Sequence, residues 1–185
     1  MPNRTKEPQQ VKVNRAPVLT LWAAVVAERL GFDRDEALTM GRAVAGLNAY
    51  AKGLALGIYK PSPKTVAGER KRMPVGEVLR IDLLRRAVEV ERTPEGLRAL
   101  TKGRPISPDS VERYLEGKFG EALKPVESAM VALAKAFSPE ELAAHAYELY
   151  EEFRPAVPPG VRGWGATGIL DLDRIRSLAR RAAAG

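Results

Sequence analysis

The chain has 185 residues, is 45% hydrophobic, carries a formal net charge of +7 and contains no cysteine. This hydrophobic fraction is sufficient for a packed core, while the lack of cysteine excludes disulfides and thiolate-bound metals. The single histidine, His145, excludes a histidine-rich metal site, and we predict neither a metal nor any other cofactor. No run of about 18 uncharged apolar residues is present, so no membrane span is predicted. The polar N-terminus lacks an apolar signal core, which predicts a cytoplasmic protein.

Charge is distributed unevenly along the chain. Residues 61–90 hold seven Lys or Arg and four Asp or Glu, whereas residues 121–150 hold two and five. This asymmetry permits a polyanionic partner, and an Arg-rich protein without such a partner is an equally good interpretation. The many Arg and Glu residues, with few Asn and Gln, are also typical of thermophile proteins.

The first third of the chain predicts a tail followed by two helices. Residues 1–15 read as a disordered basic tail. The first helix begins near Ala16-Pro17 and ends before Gly31, which suits the C′ position. Asp33-x-x-Glu36 is a capping box that starts the second helix. Small residues crowd one side of that helix and would let another helix approach closely: Ala43, Ala45, Gly46, Ala49, Ala51 and Gly53.

Turn residues organise the rest of the chain. Residues 60–74 form a proline-rich basic loop, and Val88 and Val90 alternate with charges before a Pro94-Glu95-Gly96 turn, which predicts a hairpin. Further helix starts are predicted at Ser107, Ser138 and Asp171 or Asp173. The fold class is therefore predicted as mainly α, with about six helices and one small β-hairpin. Its parts are a helical corner (16–60), a basic loop and hairpin (61–105) and a C-terminal helical part (106–185), which could form one compact domain with 16–105.

The two predicted helices raise the question of a helix-turn-helix that reads DNA. Apolar Phe32 and Met40 fit that pattern, but any tight helical corner needs the same residues. A recognition helix offers its first turn to DNA, and here that turn contains Asp33, Asp35 and Glu36. Carboxylates facing phosphates lose counterion-release energy. The pattern therefore favours a structural helical corner.

The segment "VAGLNAYAKGLALGIYKP", residues 44–61, resembles the helix-two-turns-helix of a small-subunit ribosomal protein family and of formamidopyrimidine-DNA glycosylases. In those families the turn between the helices presents backbone N–H groups to a phosphate. Gly46, Leu47, Asn48 and Tyr50 match, while the second glycine of the turn is missing and the segment is one residue shorter. The zinc-binding cysteines of the glycosylases are absent, so their activity is not implied. In "APVLTLWAAVVAERLG" and "GWGATGILDLDRIRSLA" the chain also resembles uncharacterised bacterial proteins, which implies no activity.

Gly163, Gly165 and Gly168 form a G-x-G-x-x-G pattern before a predicted helix. A dinucleotide fold needs a buried strand before this pattern, and the proline-rich "PAVPPGVR" does not predict one. A turn that packs Trp164 onto the core is one interpretation. The other is a phosphate site formed by these glycines with Arg154 and Arg162.

No arrangement of residues predicts catalysis. His145 and Glu148 lie one turn apart on a predicted helix, but a proton-transfer pair needs a cleft and a third orienting group. A structural or surface histidine is the better interpretation, and we predict no catalytic residue. An enzyme without a readable motif remains a third hypothesis for the function.

The first hypothesis is a nucleic-acid-associated protein, regulatory or architectural, that binds the phosphate backbone of DNA or RNA. The predicted contacts are the loop residues Lys64, Arg70, Lys71 and Arg72, with an accessory arm of Arg4, Lys6, Lys12 and Arg15. The second hypothesis is a homodimeric structural or interaction module without a nucleic-acid role. Its predicted contacts are Trp22 and the small-residue surface around Gly46 and Ala49.

Overall fold

The computed structural model describes residues 9–50, 74–160 and 166–185. The elements follow one another along the chain in this order: β1 (Gln10–Asn14), α1 (Arg15–Arg29), α2 (Arg34–Tyr50), β2 (Val78–Leu83), β3 (Arg86–Thr93), β4 (Gly96–Thr101), β5 (Arg104–Pro105), α3 (Pro108–Phe119), the 3₁₀ turn Gly120–Ala122, α4 (Leu123–Lys135), α5 (Pro139–Phe153), β6 (Thr167–Asp171) and α6 (Leu172–Ala184). In the described ranges no helix is both long and apolar enough to cross a membrane.

The strands form two antiparallel sheets, so the predicted fold class was wrong. One sheet pairs β1 with β6, and the other has the order β2-β3-β4-β5. Strands make up 22% of the described structure, which is too much for a mainly α protein with one small hairpin. The predicted hairpin does form, as β3 and β4 with a turn at Pro94-Glu95, but it is the centre of a larger sheet.

The two-stranded sheet joins segments from opposite ends of the chain. Val11 pairs with Leu170 and Val13 pairs with Gly168. Residues 10–14 of the predicted disordered tail are therefore an ordered strand, and β6 begins at the end of the glycine pattern, where no strand was predicted. An apolar alternation of five residues gives a weak strand signal, because the partner that buries it is remote in sequence.

The β2–β3 turn does not contain the glycine, asparagine or aspartate that is typical of a hairpin turn. Leu84 and Arg85 occupy it in the left-handed region, with φ of 47° and 62°, where glycine or asparagine is usual. Contacts with other elements offset the cost of this conformation. Leu84 is buried, and the Arg85 guanidinium forms an ion pair with Glu148 and lies 5.1 Å from the centre of the Tyr147 ring. Because these stabilising contacts are remote in sequence, the turn residues themselves did not predict this turn.

Helix α1 is the centre of the core. Every residue from 17 to 27 is buried, because α2, α4 and α5 pack around it. Such a helix is apolar on all sides rather than along one stripe. Trp22 is completely buried, its Nε1 donates to the Ala146 carbonyl at 2.8 Å, and Phe153 meets it edge-on at 5.3 Å. Trp22 therefore belongs to the core and offers no surface to a second chain.

Helix α2 joins α1 to the four-stranded sheet. The predicted capping box is confirmed, since Asp33 N donates to Glu36 Oε1 and Glu36 N donates to Asp33 Oδ1, both at 3.1 Å. Glu36 Oε2 also accepts from Leu97 N at 2.9 Å, and Thr39 Oγ1 accepts from Ala99 N at 3.0 Å. The helix thus completes the hydrogen bonding of the β4 edge. Residues 36–41 are all buried, which leaves this part of α2 without a face for a DNA groove.

Loss of the hydrogen bond from Ala99 N to Thr39 Oγ1 should lower the stability of the protein. Thr39→Val keeps the shape of the side chain but leaves a buried N–H without its acceptor, so the free energy of unfolding should fall by about 1–3 kcal/mol. Thr20→Val is the matched control, because the buried Thr20 hydroxyl donates only to the Ala16 carbonyl of its own helix at 2.9 Å. Urea unfolding of both variants measures the difference, and equal losses would contradict this role of Thr39.

Two glycines of α2 predict opposite effects of the same substitution. A Cβ at Gly41 would lie 2.3 Å from the Thr20 carbonyl oxygen and 3.0 Å from Ala24 N, whereas a Cβ at Gly46 would meet nothing within 4 Å. Gly41→Ala should lower the free energy of unfolding by more than about 2 kcal/mol, because the helix backbones must separate. Gly46→Ala should raise it by about 0.5–1 kcal/mol through helix propensity. Thermal and urea unfolding test both, and a tolerated Gly41→Ala would show that α1 and α2 are less closely packed.

Candidate functional site

A cavity of about 690 Å³ lies between the second half of α2, the β4–β5 hairpin and the start of α3. This volume is within the range of small-molecule sites in proteins, and such sites combine apolar walls with a few polar groups. The apolar part of the lining comes from both sides: Ala43, Gly46, Leu47, Ala87, Leu100 and Ile106. The cavity is the candidate functional site.

Small residues of α2 leave this space open. Gly46 borders the cavity, and a Cβ placed on it would contact nothing within 4 Å. The sequence predicted that the small residues of α2 receive another helix. The close approach of α1 occurs at Gly41, which is not one of the residues in that prediction, while Ala43 and Gly46 border the cavity.

The opposite wall ends in a two-residue turn. Lys102 and Gly103 connect β4 to β5, with φ of 51° and 76°. A turn with positive φ at both central residues matches the twist of a hairpin, and lysine is less suited to it than asparagine or glycine. The turn places the exposed Lys102 in the cavity lining.

The charge at the cavity is positive. Arg42 and Lys102 are exposed cations of the lining, and Glu89 is the one carboxylate among the lining residues that the structure describes. Glu89 lies 3.6 Å from the Arg80 guanidinium on the adjacent strand, which offsets its charge. These two cations therefore dominate the local field, and an anionic group is favoured at the mouth of the cavity.

Hydroxyl groups line the side formed by α3 and β4. Ser107 is the N-cap of α3, and its Oγ accepts from Ser110 N at 3.4 Å while Ser110 Oγ donates to the Ser107 carbonyl at 2.8 Å. Both serines and Thr101 line the cavity. Each hydroxyl both donates and accepts, so this side suits a ligand with mixed hydrogen-bonding groups.

Two cations lie near an aromatic ring beside the cavity. The Arg42 guanidinium carbon is 4.6 Å from the centre of the Tyr114 ring, and Lys118 Nζ is 6.0 Å from it. Burial raises the pKa of Tyr114, and the Arg42 charge and hydrogen bond oppose that rise. We call Arg42, Tyr114 and Lys118 the Tyr114 cluster. The sequence did not indicate it, because Arg42 lies on α2 and the other two residues lie on α3.

The predicted nucleic-acid contacts fall mostly outside the described residues: Lys64, Arg70, Lys71, Arg72, Arg4 and Lys6. Lys12 is exposed on β1. Arg15 begins α1, its Nε donates to the Pro155 carbonyl at 3.0 Å, and burial followed by repulsion from Arg154 lowers its pKa. The structure therefore brings together Arg15 and Arg154, which the sequence assigned to two different sites.

The glycine pattern is only partly described. Gly163, Gly165, Arg162 and Trp164 lie outside the described residues. Gly168 pairs with Val13 in the small sheet, and a Cβ on it would approach the Pro155 Cβ to 2.8 Å and the Ala156 oxygen to 2.9 Å. Close packing alone explains glycine at this position, and the phosphate site stays a prediction.

Two further patterns have structural explanations. Gly46, Leu47 and Asn48 lie inside α2, so the turn implied by the helix-two-turns-helix resemblance does not form at them, and Asn48 Oδ1 accepts from Arg86 Nη2 at 2.6 Å. His145 is exposed on α5, while the Glu148 carboxylate pairs with Arg85. Across the described ranges, no three acidic or histidine side chains are placed to hold a metal ion.

Removal of the Arg42 charge from the Tyr114 cluster should change the pKa of Tyr114. Arg42→Gln removes a positive charge that favours the phenolate, so the pKa of Tyr114 should rise further above its ordinary value. NMR titration of tyrosine labelled with ¹³C at Cζ would measure it. Arg113→Gln removes an equal charge from an exposed neighbour and is the control. An unchanged or lower Tyr114 pKa in Arg42→Gln would contradict the contact.

Comparison with known proteins gave no match: no family model, no curated protein and no solved structure is significantly similar to this chain.

Proposed function

We propose that the protein binds the phosphate backbone of a nucleic acid, and that Arg42 and Lys102 at the cavity mouth make the central contacts. The observation that carries this proposal is the positive cavity mouth beside an aromatic ring. Lys and Arg neutralise phosphates and release condensed counterions, which supplies most of the non-specific affinity for nucleic acids. An aromatic side chain among cations is the usual companion of such contacts in proteins that bind single strands.

Further cations on neighbouring elements support the proposal. Arg104 follows Lys102 on the same hairpin and is exposed, and Lys118 lies one turn beyond Tyr114 on α3. With Arg42 and Lys102 they make four positive side chains on adjoining elements. We call Arg42, Lys102, Arg104 and Lys118 the basic rim. The net charge of +7 also attracts a polyanion over a longer range and speeds its encounter with the protein.

The predicted loop contacts lie close to this surface along the chain. Lys64, Arg70, Lys71 and Arg72 follow α2 in the chain, and α2 is the helix that borders the cavity. Gly41 of α2 packs against Thr20 of α1. The N-terminal end of α1, with Arg15, and the C-terminal half of α2, with Gly46, lie on the same side of this contact. Arg15 and the preceding Lys12 therefore lie toward the cavity end of the helix pair. We propose that they form the accessory arm that the sequence predicts, together with Arg4 and Lys6.

A homodimeric interaction module is the second candidate, and one feature favours it. Strand β2 is an edge of the four-stranded sheet, and Val78 on it is 50% exposed. Edge strands with apolar side chains are sites of pairing between chains. A dimer joined through β2 would not use Trp22, which is buried, and it would leave the basic rim accessible.

Salt dependence tests the proposed function. Binding of a fluorescent duplex DNA and of a structured RNA should weaken linearly with the logarithm of salt concentration, because each phosphate contact releases a counterion. The double variant Arg42→Ala/Lys102→Ala should make the slope less steep by about 1–2 units. Replacing Arg70, Lys71 and Arg72 together by Ala should flatten it by about 2–3 units.

The control is Lys124→Ala/Lys135→Ala, which removes two exposed cations from α4 and leaves the basic rim intact. We expect its slope to match that of the wild type. No binding to either nucleic acid at low salt would discard the proposed function. An equal change in the control would show that net charge, and not the basic rim, governs binding.

A further inference from the structure

We infer that the cavity accepts one unpaired nucleotide, so that the protein prefers single-stranded nucleic acid to duplex. This inference rests on the proposed function and specifies its ligand. It follows from the kinds of group that line the cavity: two exposed cations, apolar residues on two sides, and hydroxyls with one carboxylate.

The walls suit the two faces of a flat ring. Gly46 and Ala43 present little more than helix backbone on one side, while Leu100 and Ile106 line the cavity from the β4–β5 side. A planar base makes apolar contact through both faces, and removal of those faces from water stabilises the complex in any sequence. A cavity of about 690 Å³ is large enough for a ligand of nucleotide size.

The polar groups suit the edge of a base. The Thr101 and Ser107 hydroxyls can donate to a ligand, while Ser110 Oγ, whose proton is engaged by the Ser107 carbonyl, and the Glu89 carboxylate can accept from it. Every base edge carries both donors and acceptors. In a duplex those edges are engaged in base pairs, so a base enters such a cavity only from a single strand or after flipping out of the helix.

The cations set the direction of entry. With the base inside, the attached phosphate lies at the mouth, where Arg42 and Lys102 neutralise it. Inorganic phosphate would use the same two cations but would leave the apolar walls in contact with water. An apolar peptide side chain would fill the walls but would leave the cations unused. A nucleotide is the ligand that uses both features.

A substitution that fills the cavity tests the inference. Gly46→Leu places a side chain into open space, because even its Cβ would meet no atom within 4 Å, and leucine has a higher helix propensity than glycine. Gly117→Leu is the matched control, since Gly117 is also helical and also faces open space but does not line the cavity. Circular dichroism of both variants would verify that they fold.

The measurement is fluorescence anisotropy with a twelve-nucleotide oligouridine and with a duplex of mixed sequence at the same salt concentration. Gly46→Leu should raise the Kd for the single strand about tenfold, because the filled cavity no longer buries the faces of the base, and should leave the duplex Kd within about twofold. Gly117→Leu should change neither. Uridine monophosphate should displace the single strand from the wild type at concentrations at which inorganic phosphate does not.

The outcomes separate this inference from the proposed function. Wild-type binding without preference for the single strand, unaffected by Gly46→Leu, would overturn the inference and leave the proposed function standing. Equal displacement by inorganic phosphate and uridine monophosphate would also overturn it, because the cavity walls would then contribute nothing. An equal increase in the single-strand Kd of Gly117→Leu would show that the cavity is not the binding site and would also overturn the inference. Failure of the wild type to bind any of these nucleic acids would overturn both proposals.

Discussion

Two side chains of α2 determine how the helical and sheet parts of this protein meet. Glu36 and Thr39 accept hydrogen bonds from the backbone N–H groups of Leu97 and Ala99 on β4. These N–H groups are buried, and without acceptors each would carry a desolvation cost that rivals the gain from burying an apolar side chain. Because β4 continues into the β4–β5 turn, the same two bonds fix Lys102 relative to Arg42. The geometry of the cavity mouth thus depends on a polar contact near the start of α2.

The run of small residues in α2 has two different roles along its length. At Gly41 the backbone of α1 approaches so closely that no Cβ fits, and this contact sets the relative position of the two central helices. Little more than one turn later, Gly46 faces open space. The same residue type therefore serves packing at one position and accessibility at the other. The roles differ because α1 packs against α2 at Gly41, whereas a Cβ at Gly46 would meet nothing within 4 Å. The composition of the helix alone does not show this difference.

Features set by neighbouring residues could be predicted from the sequence. The capping box at Asp33 and Glu36, the Ser138 cap and the Asp171 cap all form, because their partners lie within three residues. Features set by remote partners could not be predicted. Strand β1 exists only because β6 pairs with it, and the Leu84-Arg85 turn is stabilised by α5 rather than by its own sequence. The candidate site is of the second kind, since Arg42, Lys102 and Tyr114 come from three elements.

Carboxylates of the helical half pair with several arginines that join elements of the fold, and Arg42 differs from those arginines. Arg34, at the start of α2, meets Glu28, Glu112 and Glu127 from three other helices, and although burial lowers its pKa, the bonds to Glu127 and Glu112 raise it overall. Arg85 pairs with Glu148, and Arg174 lies near Glu152. These arginines connect neighbouring elements, and each lies beside at least one carboxylate. Arg42, about two turns after Arg34 on the same helix, instead lies over the Tyr114 ring and lines the cavity. The acidic residues thus pair with cations that join elements of the fold, whereas Arg42 and Lys102 line the cavity and form no ion pair with a carboxylate among the described residues.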